Sequence, residues 1–187
     1  MCSSDLTSQP NLNALVEATR NTPLDTGLDP EPLRHLARYW SAVREHYTAF
    51  ECGMKAPDAD LYLHEMPGGQ FTNLLEQAKA LGLGDRWEDV CRAYADVNRL
   101  VGDIVKVTPT SKAVGDLALL LVTNGLQAAD LLADSRELAF PESVLDLVAG
   151  RMGQPPGGFP PEVVKRIVRD GAVVTGRPGE SMPPADF

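Results

Sequence analysis

Asp29-Pro-Glu-Pro-Leu-Arg-His-Leu-Ala-Arg-Tyr-Trp-Ser-Ala-Val-Arg-Glu-His-Tyr47 is the stretch from which the fold class follows. Leu33, Leu36, Ala37, Trp40, Val43 and Tyr47 recur at the i, i+3, i+4, i+7 spacing of one helix face, with Arg34, Arg38 and Arg44 outside it. Asp29 suits a helix N-cap and Pro30 a first turn, so a helix is expected from residue 30 or 31 to about Phe50. The same period predicts helices over 11–20, with Leu12, Leu15, Val16 and Thr19 on one face, and over 70–81, 85–101 and 110–122. Shorter ones are expected over 127–133, 141–150 and 162–169. Gly82 and Gly84 close one helix, Asp85 with Glu88 reads as a capping box, and Thr110 or Ser111 as the cap of the next helix. Only Asp60-Leu-Tyr-Leu-His-Glu65 alternates like a strand, short enough to be an extended loop. Beyond about residue 150, Pro and Gly crowd the chain and predict a loosely built extension. The expected architecture is mainly α.

Composition bounds the function. The 187 residues are 43% hydrophobic and 23% charged, ordinary values for a chain that buries a core. Seventeen Lys and Arg against 26 Asp and Glu leave a net charge of −9, which argues against nucleic acid or an anionic membrane as partner. No apolar run approaches the ~18 to 20 residues of a membrane helix, and Met1 to Gln9 is too polar for a signal peptide. Cys2, Cys52 and Cys91 are odd in number and far apart, as expected of reduced thiols in a cytoplasmic protein.

Taken alone, the residues offer little self-contained chemistry. His35, His46 and His64 show no metal-ligand spacing. His64-Glu65 looks like an acid–base pair, but neighbours in an extended segment point to opposite faces, which favours a structural role. Met66-Pro-Gly-Gly-Gln70 runs into a helix and resembles an anion cradle; without a Lys-Ser/Thr ending it reads better as a tight turn that docks the helix. Gln154-Pro-Pro-Gly-Gly-Phe-Pro160 reads as a chain reversal. Lys106-Val-Thr-Pro-Thr-Ser-Lys112 has the lysines to bind a carboxylate, with a helix cap as its plainer role, and Thr7-Ser-Gln-Pro10 reads as a polar helix opening.

The order of these stretches resembles the pyruvate carboxylase family. Thr7-Ser-Gln-Pro, Leu24-Asp-Thr-Gly, Tyr39-Trp with Val43-Arg44, His64-Glu-Met-Pro-Gly-Gly-Gln-Phe-Thr-Asn-Leu and Gly82-Leu-Gly carry the first half of the likeness. Gly102-Asp-Ile-Val-Lys-Val-Thr-Pro-Thr-Ser-Lys, Val114-Gly-Asp, Phe140-Pro-Glu-Ser-Val, Gly157-Gly-Phe-Pro, Arg177-Pro-Gly-Glu and Pro183-Pro-Ala-Asp-Phe carry the second. The matching region is the end of the family's carboxyltransferase domain. The threonine motif and the Pro-Gly-Gly turn are also shared with the carboxyltransferase subunits of oxaloacetate decarboxylase pumps and of transcarboxylase. A freestanding helical interaction module is the reading from another class.

That resemblance implies a biotin-dependent ligase of the anaplerotic and gluconeogenic route, homotetrameric, in which CO2 passes from carboxybiotin to pyruvate to give oxaloacetate. It implies that Thr7 is catalytic, relaying a proton between the pyruvate methyl group and biotin, with Ser8 and Gln9 near the biotin and pyruvate site. Biotin on a carrier domain, a divalent metal (Zn, Mn or Mg) and ATP at a biotin carboxylase domain are the implied cofactors, all held outside this chain. No metal ligand is expected within it. The implied domains are the last loop and helix of a TIM-type (β/α)8 barrel over 7–24, a helical funnel over 25–155, and the start of a segment leading to the tetramerisation region over 156–187. Cys2-Ser-Ser-Asp-Leu6 is the translation of a common sequencing-adapter end, so residues 1–6 are expected to be foreign and the chain to be a fragment, inactive alone.

Overall fold

Asn11 and Asp29 open the two α-helices found among the described residues of the first unit. The computed structural model describes residues 11–51, 59–180 and 182–183, and the chain divides into Met1–Ala59 and Asp60–Phe187. In the first unit, the Asn11 side chain accepts the Ala14 N–H at 3.3 Å and starts α1 (Leu12–Thr19). The Asp29 carboxylate accepts the Glu31 N–H at 3.0 Å and starts α2 (Pro30–Glu45), with Pro30 in the first turn as the sequence predicts. A 3₁₀ turn, Thr48–Phe50, follows where the stripe predicted continued α-helix. Arg34 joins the two helices, its guanidinium 2.6 Å from Glu17 and 3.2 Å from Glu31. Val16 is buried, whereas α2 has no buried residue.

The second unit holds α3 (Leu61–His64), α4 (Gly68–Ala80), α5 (Trp87–Leu100), α6 (Thr110–Thr123), α7 (Glu142–Val148) and α8 (Pro161–Ile167). Helix α6 is the hub, touching α4, α5 and α7, and α8 packs on α7. Its run Ala113-Val-Gly-Asp-Leu-Ala-Leu-Leu-Leu-Val122 is buried nearly all round, as a helix with neighbours on several sides must be. Facing it, α5 buries Val90, Ala93, Tyr94 and Val97 and keeps Glu88, Arg92, Asp96 and Arg99 in water. Leu74, Leu117, Leu121 and Tyr94 are almost wholly excluded from solvent, and each aliphatic side chain so placed is worth about 1.5 to 3 kcal/mol of transfer free energy. Burial also pushes the Tyr94 phenol pKa well above its usual value. Among the described residues there is no strand, and no helix is long and apolar enough to cross a membrane.

Four local expectations are overturned. The 60–65 segment is a turn of helix, because the Asp60 carbonyl accepts both the Leu63 N–H (2.8 Å) and the His64 N–H (3.0 Å). Asp85 does not cap α5; residues 84–86 form a 3₁₀ turn, and the Arg86 side chain holds Asp89 at 2.9 Å instead. Neither Thr110 nor Ser111 caps α6, since the Thr110 hydroxyl reaches back to the Val105 and Val107 carbonyls (2.8 and 2.7 Å). Residues 127–133 make only a 3₁₀ turn, Ala128–Asp130.

The extension after residue 150 is also better built than its composition suggests. Phe159, Val163 and Ile167 are buried, and Gly157 and Gly158 with positive φ give the expected reversal, the Gly158 N–H reaching the Pro155 carbonyl at 2.9 Å. Arg166 fastens it, donating to the Leu131 and Arg136 carbonyls (2.9 and 2.8 Å) and lying 5.9 Å over the Phe140 ring.

Candidate functional site at the junction of two motifs

Two of the stretches singled out in the sequence meet in the second unit. After α3, Glu65 takes a left-handed conformation (φ 55°) that ends the turn and sends its side chain outward while Met66 goes into the core. His64 is buried, and its Nδ1 accepts the Met66 N–H at 3.0 Å; its ring lies 5.4 Å from Phe71, which in turn meets Trp87 edge-on at 5.0 Å. Pro67 then opens α4, its carbonyl accepting the Phe71 N–H at 2.9 Å. The Pro-Gly-Gly turn thus docks a helix, as the plainer sequence reading has it. Helix α4 comes so close to α6 that a Cβ on Gly115 would sit 2.5 Å from Gln70 Nε2 and 3.0 Å from Leu74 Cδ1.

The loop between α5 and α6 supplies the other half. Asn98 is buried and donates to Asp103 at 2.6 Å, which fixes the start of the loop. Thr110 clasps its end through the two carbonyls named above and accepts the Val107 N–H at 3.2 Å. Between these anchors Lys106 folds inward, its side chain only 11% exposed, and its ammonium meets Glu65 at 2.6 Å. The Lys106 ammonium, through its hydrogen bond and then its charge, holds the Glu65 carboxyl below its usual value. Lys106 therefore does bind a carboxylate, one belonging to the same chain. Tyr62, Leu63, Val105 and Val107, which stand near the pair in sequence, are all exposed.

This arrangement positions chain rather than performing chemistry. Both charges are matched, so neither is available to a reacting group, and the paired motifs act as a clasp. No sequence signal joins Glu65 to Lys106, because the pairing depends on how α3 meets α5. A second tie of this kind was equally hidden: Asp116 on α6 accepts from Lys112 and from Ser143 at the start of α7. An open pocket of about 440 Å³ lies elsewhere, floored by Leu138, Phe140, Leu145 and Ile167, with the Glu137–Arg169 ion pair at its edge. Among the described residues no group of His, Cys, Asp and Glu could hold a metal ion, so they offer no fit to the metal, which the resemblance places outside this chain. Thr7, Ser8 and Gln9, the expected catalytic and cofactor-proximal residues, lie outside the described residues, as do Cys2 and Cys52.

Comparison with known proteins gives the region its context. The conserved carboxylase domain family matches residues 61–187. Mitochondrial pyruvate carboxylase of Homo sapiens is 46% identical over 186 residues, covering 98% of this chain and 16% of its own length. The carboxyl transferase domain of Rhizobium etli pyruvate carboxylase, solved with pyruvate and biocytin, superposes with a TM-score of 0.89 at 50% identity, over 95% of this chain and 30% of that one. The complete multifunctional enzyme from Rhizobium etli gives the same TM-score of 0.89 over 18% of its chain. The chain thus spans about one-sixth of the curated relative's length. It belongs to the conserved carboxylase domain family, and its counterpart in pyruvate carboxylase lies in the carboxyltransferase domain.

Proposed function

We propose that the chain supplies the C-terminal part of the carboxyltransferase domain of a biotin-dependent pyruvate carboxylase, a ligase that moves CO2 onto pyruvate to form oxaloacetate. The observation that carries this reading is the superposition on the Rhizobium etli domain over 95% of the chain at 50% identity. In this reading residues 7–24 close the barrel, 25–155 form the helical funnel at its mouth, and 156–187 lead toward the tetramerisation region. Residues 1–6 are adapter-derived. The remaining domains of one homotetrameric polypeptide are its partners. The reduced thiols read from the sequence support a cytoplasmic location.

Thr7 is the one residue of the chain assigned a chemical role. A hydroxyl donates and accepts at once, so Thr7 Oγ1 can take a proton released from the pyruvate methyl group and hand its own to the acceptor nitrogen. Ser8 and Gln9 line the same approach. Biotin, on its carrier domain, supplies the transferable carboxyl group when bound; the metal and ATP belong to parts of the enzyme outside this chain. The clasp between Glu65 and Lys106 holds the loop and the Pro-Gly-Gly turn in register so that the funnel keeps its shape.

The test is a graft. The matching 30% of the Rhizobium etli domain is replaced by this chain, and oxaloacetate decarboxylation is assayed with free biotin beside the unaltered domain. Activity is expected in the graft, falling by about 10²-fold or more in Thr7→Ala, the scale of lost proton transfer. An inactive graft beside an active parent refutes the functional reading. A fully active Thr7→Ala graft removes the relay role and leaves the family intact.

A further inference from the structure

Helix α6 ends on the one Asn-Gly pair in the sequence, Asn124-Gly125. Such a pair carries a reaction of its own. The Gly125 backbone nitrogen attacks Cγ of Asn124; a C–N bond forms, the amide proton of Gly125 is lost and ammonia leaves. Water then opens the five-membered imide at either carbonyl, giving aspartate or isoaspartate. Glycine favours the attack because no Cβ crowds its nitrogen and its backbone turns freely. Water is the only co-reactant.

The fold holds each reacting group back. Asn124 ends α6 with ψ 3°, which eclipses the Gly125 nitrogen with the nitrogen of Asn124 and turns it away from the side chain. The Gly125 N–H donates to the Val122 carbonyl at 3.2 Å and the Leu126 N–H to the Leu121 carbonyl at 2.9 Å, a Schellman turn with Gly125 at φ 65°. Nδ2 of Asn124 donates to the Leu120 carbonyl at 2.8 Å, which fixes the side-chain amide. Arg136 donates to the Asn124 carbonyl at 3.3 Å, the oxygen of the same peptide plane that must rotate to bring nitrogen to Cγ. Leu126, buried, anchors the turn from behind. Asn124 and Gly125 are themselves exposed, so water is at hand when the turn opens. We infer that Asn124 is a fold-gated deamidation site: the closed end of α6 keeps it an amide, and opening of that end converts it to aspartate or isoaspartate. The product cannot restore the turn. Isoaspartate adds a main-chain atom to a motif whose bonds are counted residue by residue, and either product puts a carboxylate at the negative end of a helix. The inference is independent of the functional reading above.

Peptide mapping tests it. The 187-residue chain is held at mildly alkaline pH, folded in buffer or unfolded in guanidinium, and the tryptic peptide carrying Asn124 is followed by mass and fragmentation. Conversion at Asn124 is expected to be about tenfold or more slower in the folded chain. Arg136→Gln releases the Asn124 carbonyl and should raise the folded-state rate by about threefold or more while leaving the unfolded rate unchanged. Hydrogen exchange at the Leu126 amide of the unaltered chain reads the same opening without a mutation, and its protection should match the ratio of the two conversion rates to within about threefold. Equal rates in the folded and unfolded chain overturn the gate. No conversion in guanidinium overturns the site itself. A Leu126 protection far from the rate ratio, or a folded-state rate untouched in a folded Arg136→Gln chain, removes the end of α6 as the element that controls the reaction.

Discussion

Replacing Gly150 with alanine will loosen the C-terminal extension from the helical body. Helix α7 ends in a Schellman arrangement, with the Gly150 N–H bonded to the Leu147 carbonyl (3.0 Å) and the Arg151 N–H to the Asp146 carbonyl (2.9 Å), which puts Gly150 at φ 78°. An alanine there meets two separate penalties. The left-handed backbone costs about 1 to 2 kcal/mol for a residue with a Cβ. That Cβ would also lie 2.4 Å from the Val174 carbonyl oxygen and 2.7 Å from Gln154 Nε2. The glutamine amide can swing aside, but the carbonyl belongs to a stretch of backbone whose Val174 N–H is bonded to the Ala149 carbonyl at 2.8 Å. Relieving the overlap means overpacking, about 1 to 3 kcal/mol, or loss of that hydrogen bond, about 0.5 to 1.5 kcal/mol.

The total is roughly 2 to 5 kcal/mol, a large share of the stability of an ordinary domain. Gly153 supplies the control: at φ 91°, nothing lies within 4 Å of the place a methyl group would take, so its alanine variant carries the backbone penalty of about 1 to 2 kcal/mol and no overlap. Urea denaturation of both variants, with hydrogen exchange at the Val174 amide, separates the two effects. Gly150→Ala should lose at least about 1 kcal/mol more than Gly153→Ala and should accelerate Val174 exchange. Equal losses, or an unchanged Val174 rate, would refute the view that the extension is fixed to the body at this crossing.

Leu74→Ala, at a side chain wholly removed from solvent, should cost about 2 to 5 kcal/mol in urea denaturation, whereas Leu63→Ala, 71% exposed, should stay within about 0.5 kcal/mol. Comparable losses would mean that α4 is not packed as described. The Glu65 carboxyl, held low by Lys106, is ionised in the folded chain at pH values where the unfolded chain binds its proton. Its contribution is present above the unfolded value of 4.5 and is lost as pH falls through the lower folded one. The stability gap between the native chain and Glu65→Gln should therefore be widest near neutral pH and close in acid; a gap that persists unchanged in acid would show that the pair has no proton linkage.

Helix existence was legible because apolar residues repeat at a period that little else produces. Asp29 and Asn11 were readable as starts because a short polar side chain before a stripe has a direct use, to accept an orphan N–H. The misreadings share a cause. At Asp60-Leu-Tyr-Leu-His-Glu65 the alternation of apolar and polar residues was real, but one buried histidine and a left-handed Glu65 settled the backbone, and neither leaves a mark in six residues. At Thr110 the hydroxyl had a choice between the helix start and the loop behind it, and the loop carbonyls are nearer. The extension was underestimated because Pro and Gly were counted while Arg166, whose guanidinium ties three separate positions, was not. Of the site, the two motifs were visible and their meeting was not, since a pairing such as Glu65 with Lys106 is a property of the packed helices.

A clear sequence stripe does not guarantee burial within the described residues. Helix α2 follows the 3.6-residue period closely and has no buried residue, whereas α6, whose period is blurred by apolar residues on every side, is the centre of a closed core. The two facts have one explanation. Amphipathicity records that a helix has one apolar neighbour and one aqueous side; it does not say that the neighbour is on the same stretch of chain. A helix of sixteen residues is only marginally stable by itself in water, and α1 supplies a contact that α2 has within its own unit. The second unit, by contrast, closes on itself through α4, α5, α6, α7 and α8. The second unit thus holds its own core, whereas among the described residues of the first unit α2 keeps its aromatic residues in water.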